Sequence, residues 1–415
     1  MKDCEYVLGY FSELLIRKRE YSFSRTEFVR ELAAFCKRRV ISLDVEHLFG
    51  VLKYNHIIVD HDGDCTFRFC YFLSYFAAHR MLHSPEFRDF VFVSENYSNY
   101  PEIIEFYTGS DRNREDAVRV LTEGIKRAND VFEKRFSFPD IPDPYRHYKW
   151  FPKEEDIELM RLELDEALQI AESSERAKDQ AADSFYDQSR PYNQRISSIL
   201  EDYSLVLMVQ AMKGGARALR NSDYVDPDLK RALLDEIFRA WGNLIKTLIL
   251  LAPLLANDKQ ATYEGMAFML GKGFSDTPIA RFKEIMGEIH RNVVEWHYKD
   301  LHSKKMAPLL IEHLSKGHEW IEHCVALILL KTKPPGWDKA FRDHVLSLDK
   351  NSFYLWSIYG ALRTNYRLGF MSDTDVKKVA VLIKTAGAKH LTGTKRAGPV
   401  ALKKISDKNI PEREV

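Results

Sequence analysis

The chain has 415 residues, 45% of them hydrophobic and 29% charged. That is the balance of a folded globular protein, and the length predicts two or three helical units rather than one core. Lysine plus arginine equals aspartate plus glutamate at 61 each, so no global charge excess draws the chain to nucleic acid or an anionic membrane. Five cysteines, an odd number with no CxxC pair, fit a reducing compartment. The N-terminus, MKDCEYVLGYFSELL, lacks the apolar core of a signal peptide, and a cytoplasmic location is expected.

The pattern along the chain predicts a mainly α fold. Residues 1–80 form the first expected domain. Ser24 and Glu27 make a capping box ahead of a helix with Phe28, Leu32, Phe35 and Cys36 on one face. A second helix carries Val45, Leu48, Phe49 and Leu52. A strand over His56–Val59 and a return over Thr66–Phe69 flank a turn at His61–Asp64, where Asp62-Gly63 is a hairpin signal. Helix, helix and hairpin in that order predict an N-terminal winged helix with a small β-hairpin. In the next helix Phe69, Phe72, Leu73, Phe76, Ala77 and Arg80 form one stripe.

Residues 81–135 read as a helical extension, with a short helix over Pro101–Gly109 and another from Glu115 to Phe132. Residues 136–194 read as a connector with Pro139, Pro142, Pro144 and Pro152, then a charged helix from Glu154 that becomes exposed or mobile towards Arg190-Pro191. Residues 195–390 form the expected C-terminal domain, an irregular helical bundle or superhelix. Its core helix carries Leu229, Leu233, Ile237, Trp241, Leu244 and Leu248. The most apolar stretch, Leu244–Ala256, is interrupted by Lys246 and Pro253 and falls short of the roughly 20 apolar residues that span a bilayer. Ser372 caps a last helix bearing Val376, Val379, Leu382 and Ile383. Residues 391–415, with Lys395, Arg396, Lys403, Lys404 and Lys408, are expected to be a disordered basic tail.

Candidate chemistry is sparse. A phosphate-binding loop needs G-x-x-x-x-G-K-[ST], and the chain has none. Lys213-Gly214-Gly215 reads as a glycine break in or near a helix, and Gly271-Lys272-Gly273 lacks an upstream strand in this reading. No nucleotide or other cofactor is therefore expected. Six of the fourteen histidines lie between His290 and His323. His318 and His323 stand five apart, not four, which turns the second about 100° off the face a zinc site would need, so no metal is expected. Asp60, Asp62 and Asp64 are explained by the hairpin turn.

Arg291, Asn292 and His297 fit the loose R-x(4–6)-H pattern of HEPN ribonucleases. In that family Arg and His act on the scissile phosphate and the 2′-hydroxyl, so these three residues are the alternative catalytic set, against a plain structural helix. A DNA-binding regulator is a further alternative. Its recognition helix would cover residues 44–54, where Asp44 and Glu46 oppose the single Lys53, so nucleic acid is not favoured.

The hairpin running into TFRFCYFLSYFAAHRML resembles the end of the winged-helix domain in bacterial STAND NTPases of the NACHT kind. Phe67, Phe69, Phe72, Tyr75, Phe76, Ala77 and Ala78 carry the likeness. PEIIEFYTG at Pro101–Gly109 looks like a recurring segment of the same family, as do Leu219–Asn221 and the block from Asn292 through Met306. The Walker motifs have no counterpart here. The resemblance thus implies the C-terminal half of such a protein, a winged helix plus a helical sensor region without the P-loop domain. In that family the winged helix packs on the nucleotide site, the helical part senses a trigger, and bacterial members often act in antiphage defence. The implied role is a non-catalytic regulatory and sensor module. Its partner would be a nucleotide-binding subunit or a trigger protein, with assembly into an oligomer allowed and no membrane involved.

Overall fold

In the computed structural model the described residues are 2–135, 144–150, 152–171, 203–314, 319–393 and 410–414. Three sequence expectations lie outside them: the mobility towards Arg190-Pro191, the placement of His318, and the basic tail residues Lys395 to Lys408. The chain is mainly α and divides into two units, Met1–Ala128 with Ser184–Ile237, and Asn129–Asp183 with Phe238–Val415.

Unit 1 opens with α1 (Lys2–Lys18), which buries Val7, Leu8, Phe11 and Leu15. β1 (Ser22–Phe23) leads to α2 (Arg25–Arg39). The Ser24 hydroxyl accepts the Glu27 N–H at 3.0 Å, as the capping box requires, while the Glu27 carboxylate takes the Lys18 ammonium at 2.7 Å. α3 (Val45–Tyr54) is capped by Asp44, which accepts the His47 N–H at 2.9 Å. β2 (Ile58–His61) and β3 (Asp64–Phe67) form the hairpin, and β1 joins it in an antiparallel sheet of order β1-β3-β2. Asp62 and Gly63 both have positive φ, 55° and 95°. This two-residue turn matches the strand twist, so pairing continues to His61 opposite Asp64, tighter than the sequence reading.

α4 (Cys70–His83), α5 (Pro85–Phe92), α6 (Pro101–Ser110) and α7 (Glu115–Arg135) follow, and α9 (Ser204–Asn221) packs on α6. The expected break at Gly214-Gly215 does not occur, because both glycines lie inside α9. They serve close packing instead: a Cβ on Gly215 would overlap Ile125 Cδ1.

Unit 2 contains α8 (Glu154–Ala171) and the later part of α10 (Pro227–Asp258). The most apolar window of α10 is 78% buried, as expected of a core helix. A second hairpin, β4 (Gln260–Tyr263) with β5 (Met266–Met269), turns on Glu264-Gly265. It was not foreseen, and it places a strand upstream of Gly271-Lys272-Gly273 after all. The chain just after these glycines is tied to the end of α10 by Arg281, whose guanidinium donates to the carbonyls of Ala256, Ser275 and Asp276. The unit is completed by α11 (Pro278–Leu301), α12 (Ala307–His313), α13 (Glu319–Thr332), α14 (Trp337–Ser347), α15 (Phe353–Leu368) and α16 (Asp373–Thr392).

The described part of the proline-rich connector is more ordered than its composition suggests. Pro144–Arg146 forms a 3₁₀ turn, and Tyr145, Tyr148 and Trp150 are buried. Tyr145 stacks on Phe353 with ring centroids 4.0 Å apart, and its hydroxyl donates to the Met286 carbonyl at 3.1 Å. The prolines deny regular structure, but the aromatics between them supply the burial that orders the chain.

Candidate functional site

The aromatic segment at the start of α4 divides into two sets of side chains. One set is cement. The Phe67 ring packs against Phe23 of β1 and Phe76 of α4, with centroids 6.1 and 5.9 Å away. Phe76 and Ala77 are buried. The Tyr75 hydroxyl donates to the Glu5 carboxylate of α1 at 3.0 Å, and its ring meets Phe106 of α6 edge-on at 5.8 Å. Burial, reinforced by Glu5, raises the Tyr75 pKa, so the phenol stays protonated and serves as a donor.

The other set faces outward. Phe69 is 46% exposed and Tyr71 45% exposed, and their rings stack 5.4 Å apart with planes 11° from parallel. Phe72 joins them, 4.4 Å from Tyr71, and the Arg68 guanidinium sits 5.1 Å from the centre of Phe69. Rigid aromatic rings capped by a guanidinium have the composition of a protein-binding hot spot. The apolar stripe read from sequence included Phe69 and Phe72 but missed Arg68 and Tyr71. Tyr71 lies one position off the stripe, which is the signal that it faces away from the core.

Both sets lie at the C-terminal side of one matched segment. Residues 21–77 match the Novel STAND NTPase 4 family. The match supports a relation to STAND-type NTPases over β1, α2, α3, the hairpin and the first half of α4. It includes Phe67, Phe69, Phe72, Tyr75, Phe76 and Ala77, the residues that carry the sequence resemblance. No curated protein and no solved structure matches the chain.

Within this STAND-like segment, α3 offers little to DNA. Asp44 is spent on the helix cap, Glu46 pairs with Arg25 at 2.6 Å, and Lys53 pairs with Asp60 at 2.8 Å. Its one lysine is thus paired with a carboxylate.

The alternative ribonuclease residues lie in unit 2, on α11. Arg291 pairs with Glu288 at 3.0 Å and lines a groove of about 260 Å³ with Leu327, Leu330 and Lys331 of α13 and Asn365 of α15. Asn292 is half-buried beside it. His297 faces Trp241 of α10, with ring centroids 6.1 Å apart. Six helical positions place Arg291 and His297 about 120° apart around α11, and the structure does not bring them together. Among the described residues, no group of three or more His, Cys, Asp or Glu side chains converges to hold a metal ion.

Proposed function

We propose that the chain is a regulatory and sensor module of a STAND-type switch, acting by binding protein and not by breaking bonds. The match of residues 21–77 to a STAND NTPase family carries this reading. The order α1-β1-α2-α3-β2-β3, with β1 added to the hairpin, supports a winged helix in unit 1. In this reading the winged helix docks on a nucleotide-binding partner through Phe69, Tyr71 and Phe72. The helices of unit 2 respond to a trigger protein, cytoplasmic and in the setting of antiphage defence, and trigger binding shifts an inactive–active equilibrium.

The test is co-expression of the chain with each P-loop NTPase found in its genomic neighbourhood, followed by purification of any pair that forms. Phe69→Ala with Tyr71→Ala should weaken the complex tenfold or more, the scale of a hot-spot pair. Helical content should not change. A monomer that retains no such partner with and without trigger would sink the reading. So would RNA cleavage by the wild-type chain that disappears in both Arg291→Ala and His297→Ala.

A further inference from the structure

Unit 2 buries four histidines: His313 on α12 packs edge-on against Phe238 of α10, while His290 on α11, His323 on α13 and His344 on α14 lie on helices in contact through α13. The rings of His290 and His323 meet edge to face, 5.2 Å apart. His323 Nε2 lies 3.1 Å from the Ser357 hydroxyl of α15. The five other ring nitrogens of the three side chains have no hydrogen-bond partner among the described residues. Buried polar atoms of native proteins are almost always paired, so five in one helical core call for an account.

The surroundings can hold neutral imidazoles but not imidazolium ions. Tyr145 from the connector packs 5.2 Å from His290, and Tyr354 of α15 packs 5.4 Å from His323. Phe353 lies within 5.8 Å of His290. Cys324 is buried next in sequence, and burial holds its thiol protonated. Arg291 is the charged side chain that bears on His323, and it has the repelling sign. Glu322 Oε2 is 3.9 Å from His344 Nδ1, too far for a hydrogen bond. One carboxylate at that distance does not offset the desolvation of three cations.

We infer that His290, His323 and His344 form an acid-operated latch: neutral, they hold α11, α13 and α14 together, and on taking up protons they open unit 2. The cluster is a proton-uptake site independent of the partner-docking face on α4.

Burial holds His290 down to about 3 and His344 down to about 4. His323 is held well below the ordinary range by burial and by its neighbours His290, His344 and Arg291. In the opened chain each returns to the usual value near 6.5. The stability these groups contribute is therefore complete above pH 6.5 and lost as pH falls towards 4. Carboxylates of ordinary pKa titrate below that upper range, and Glu288 and Asp165, which burial raises, favour the folded unit as pH falls, so a steep loss of stability between pH 6.5 and 5 comes from histidine. Three protons taken up on opening raise the opening constant roughly 500-fold between pH 6 and pH 5, two raise it roughly 60-fold, and one roughly eightfold.

The experiment uses the full chain. All six tryptophans, Trp150, Trp241, Trp296, Trp320, Trp337 and Trp356, belong to unit 2, so their emission during urea unfolding reads that unit alone. Titrations from pH 7.5 to 5 should show the opening constant rising more than 60-fold between pH 6 and 5. Each of His290→Phe, His323→Phe and His344→Phe should remove about one proton from that dependence. A rise of eightfold or less in the wild-type chain overturns the latch, whether or not the variants fold. An unchanged pH slope in any folded His→Phe variant removes that residue from it.

Discussion

Arg80 of α4 donates from Nε to the Glu13 carboxylate of α1 at 2.7 Å, with both side chains nearly withdrawn from solvent. Tyr6, Tyr10 and Phe35 ring the guanidinium at 5.8 to 5.9 Å. A buried pair of this kind is costly to break from one side, because the remaining charge keeps its desolvation penalty. Glu13→Ala should cost about 3 kcal/mol in the urea unfolding of unit 1, followed by hydrogen exchange of α1 and α4 amides. The double variant Glu13→Met with Arg80→Met should recover most of that loss, since no lone charge is left buried. A single variant within 0.5 kcal/mol of wild type would show that water reaches the pair.

The Tyr97 ring sits over Gly124 of α7 so closely that a Cβ there would overlap the phenol oxygen. The ring is fully buried and cannot swing away. Gly124→Ala should therefore cost about 2 kcal/mol, and less when Tyr97→Phe is also present, the two changes coupling because they share one contact. Gly215→Ala meets the ends of two buried side chains, Ile125 and Leu233, so thermal unfolding should find it destabilising by about 1 kcal/mol despite the gain in helix propensity.

Val40 ends α2 in the left-handed region at φ 56°, and its side chain is 93% exposed. A β-branched residue is strained there and regains nothing by burial. Val40→Gly should raise stability by about 1 kcal/mol, read as a higher urea midpoint for unit 1. An equal loss would mean that the Val40 methyl groups do pack in solution.

Trp150 lies flat on His390 of α16, with centroids 3.9 Å apart and planes 9° from parallel, and its backbone N–H donates to the Asn351 carbonyl at 2.9 Å. Trp150→Ala should destabilise unit 2 by about 3 kcal/mol or more, the cost of deleting a buried indole. His390→Ala, at a half-buried position, should cost less than half as much in the same equilibrium unfolding experiment.

Much of the architecture was legible from local rules. The apolar spacing of Phe28, Leu32 and Phe35, the Ser24 and Ser372 caps and the Asp62-Gly63 turn each act within a few residues, so the sequence alone determined a mainly α chain with a hairpin after its early helices. The aromatic run from Phe67 to Ala77 likewise marked the segment that matches a STAND family. What the tertiary structure decided depends on which surfaces meet. Periodicity assigns a residue to a helix face but not to the neighbour opposite that face. Tertiary packing therefore turned Phe69 and Tyr71 outward while Phe76 went inward. It sent Arg291 and His297 to different neighbours, and it closed α11, α13 and α14 over three imidazoles. It also drew Tyr145 and Trp150 of a proline-rich connector into a core. Burial is a property of the whole packed unit, and it is burial that gives these side chains their charge state and their exposure.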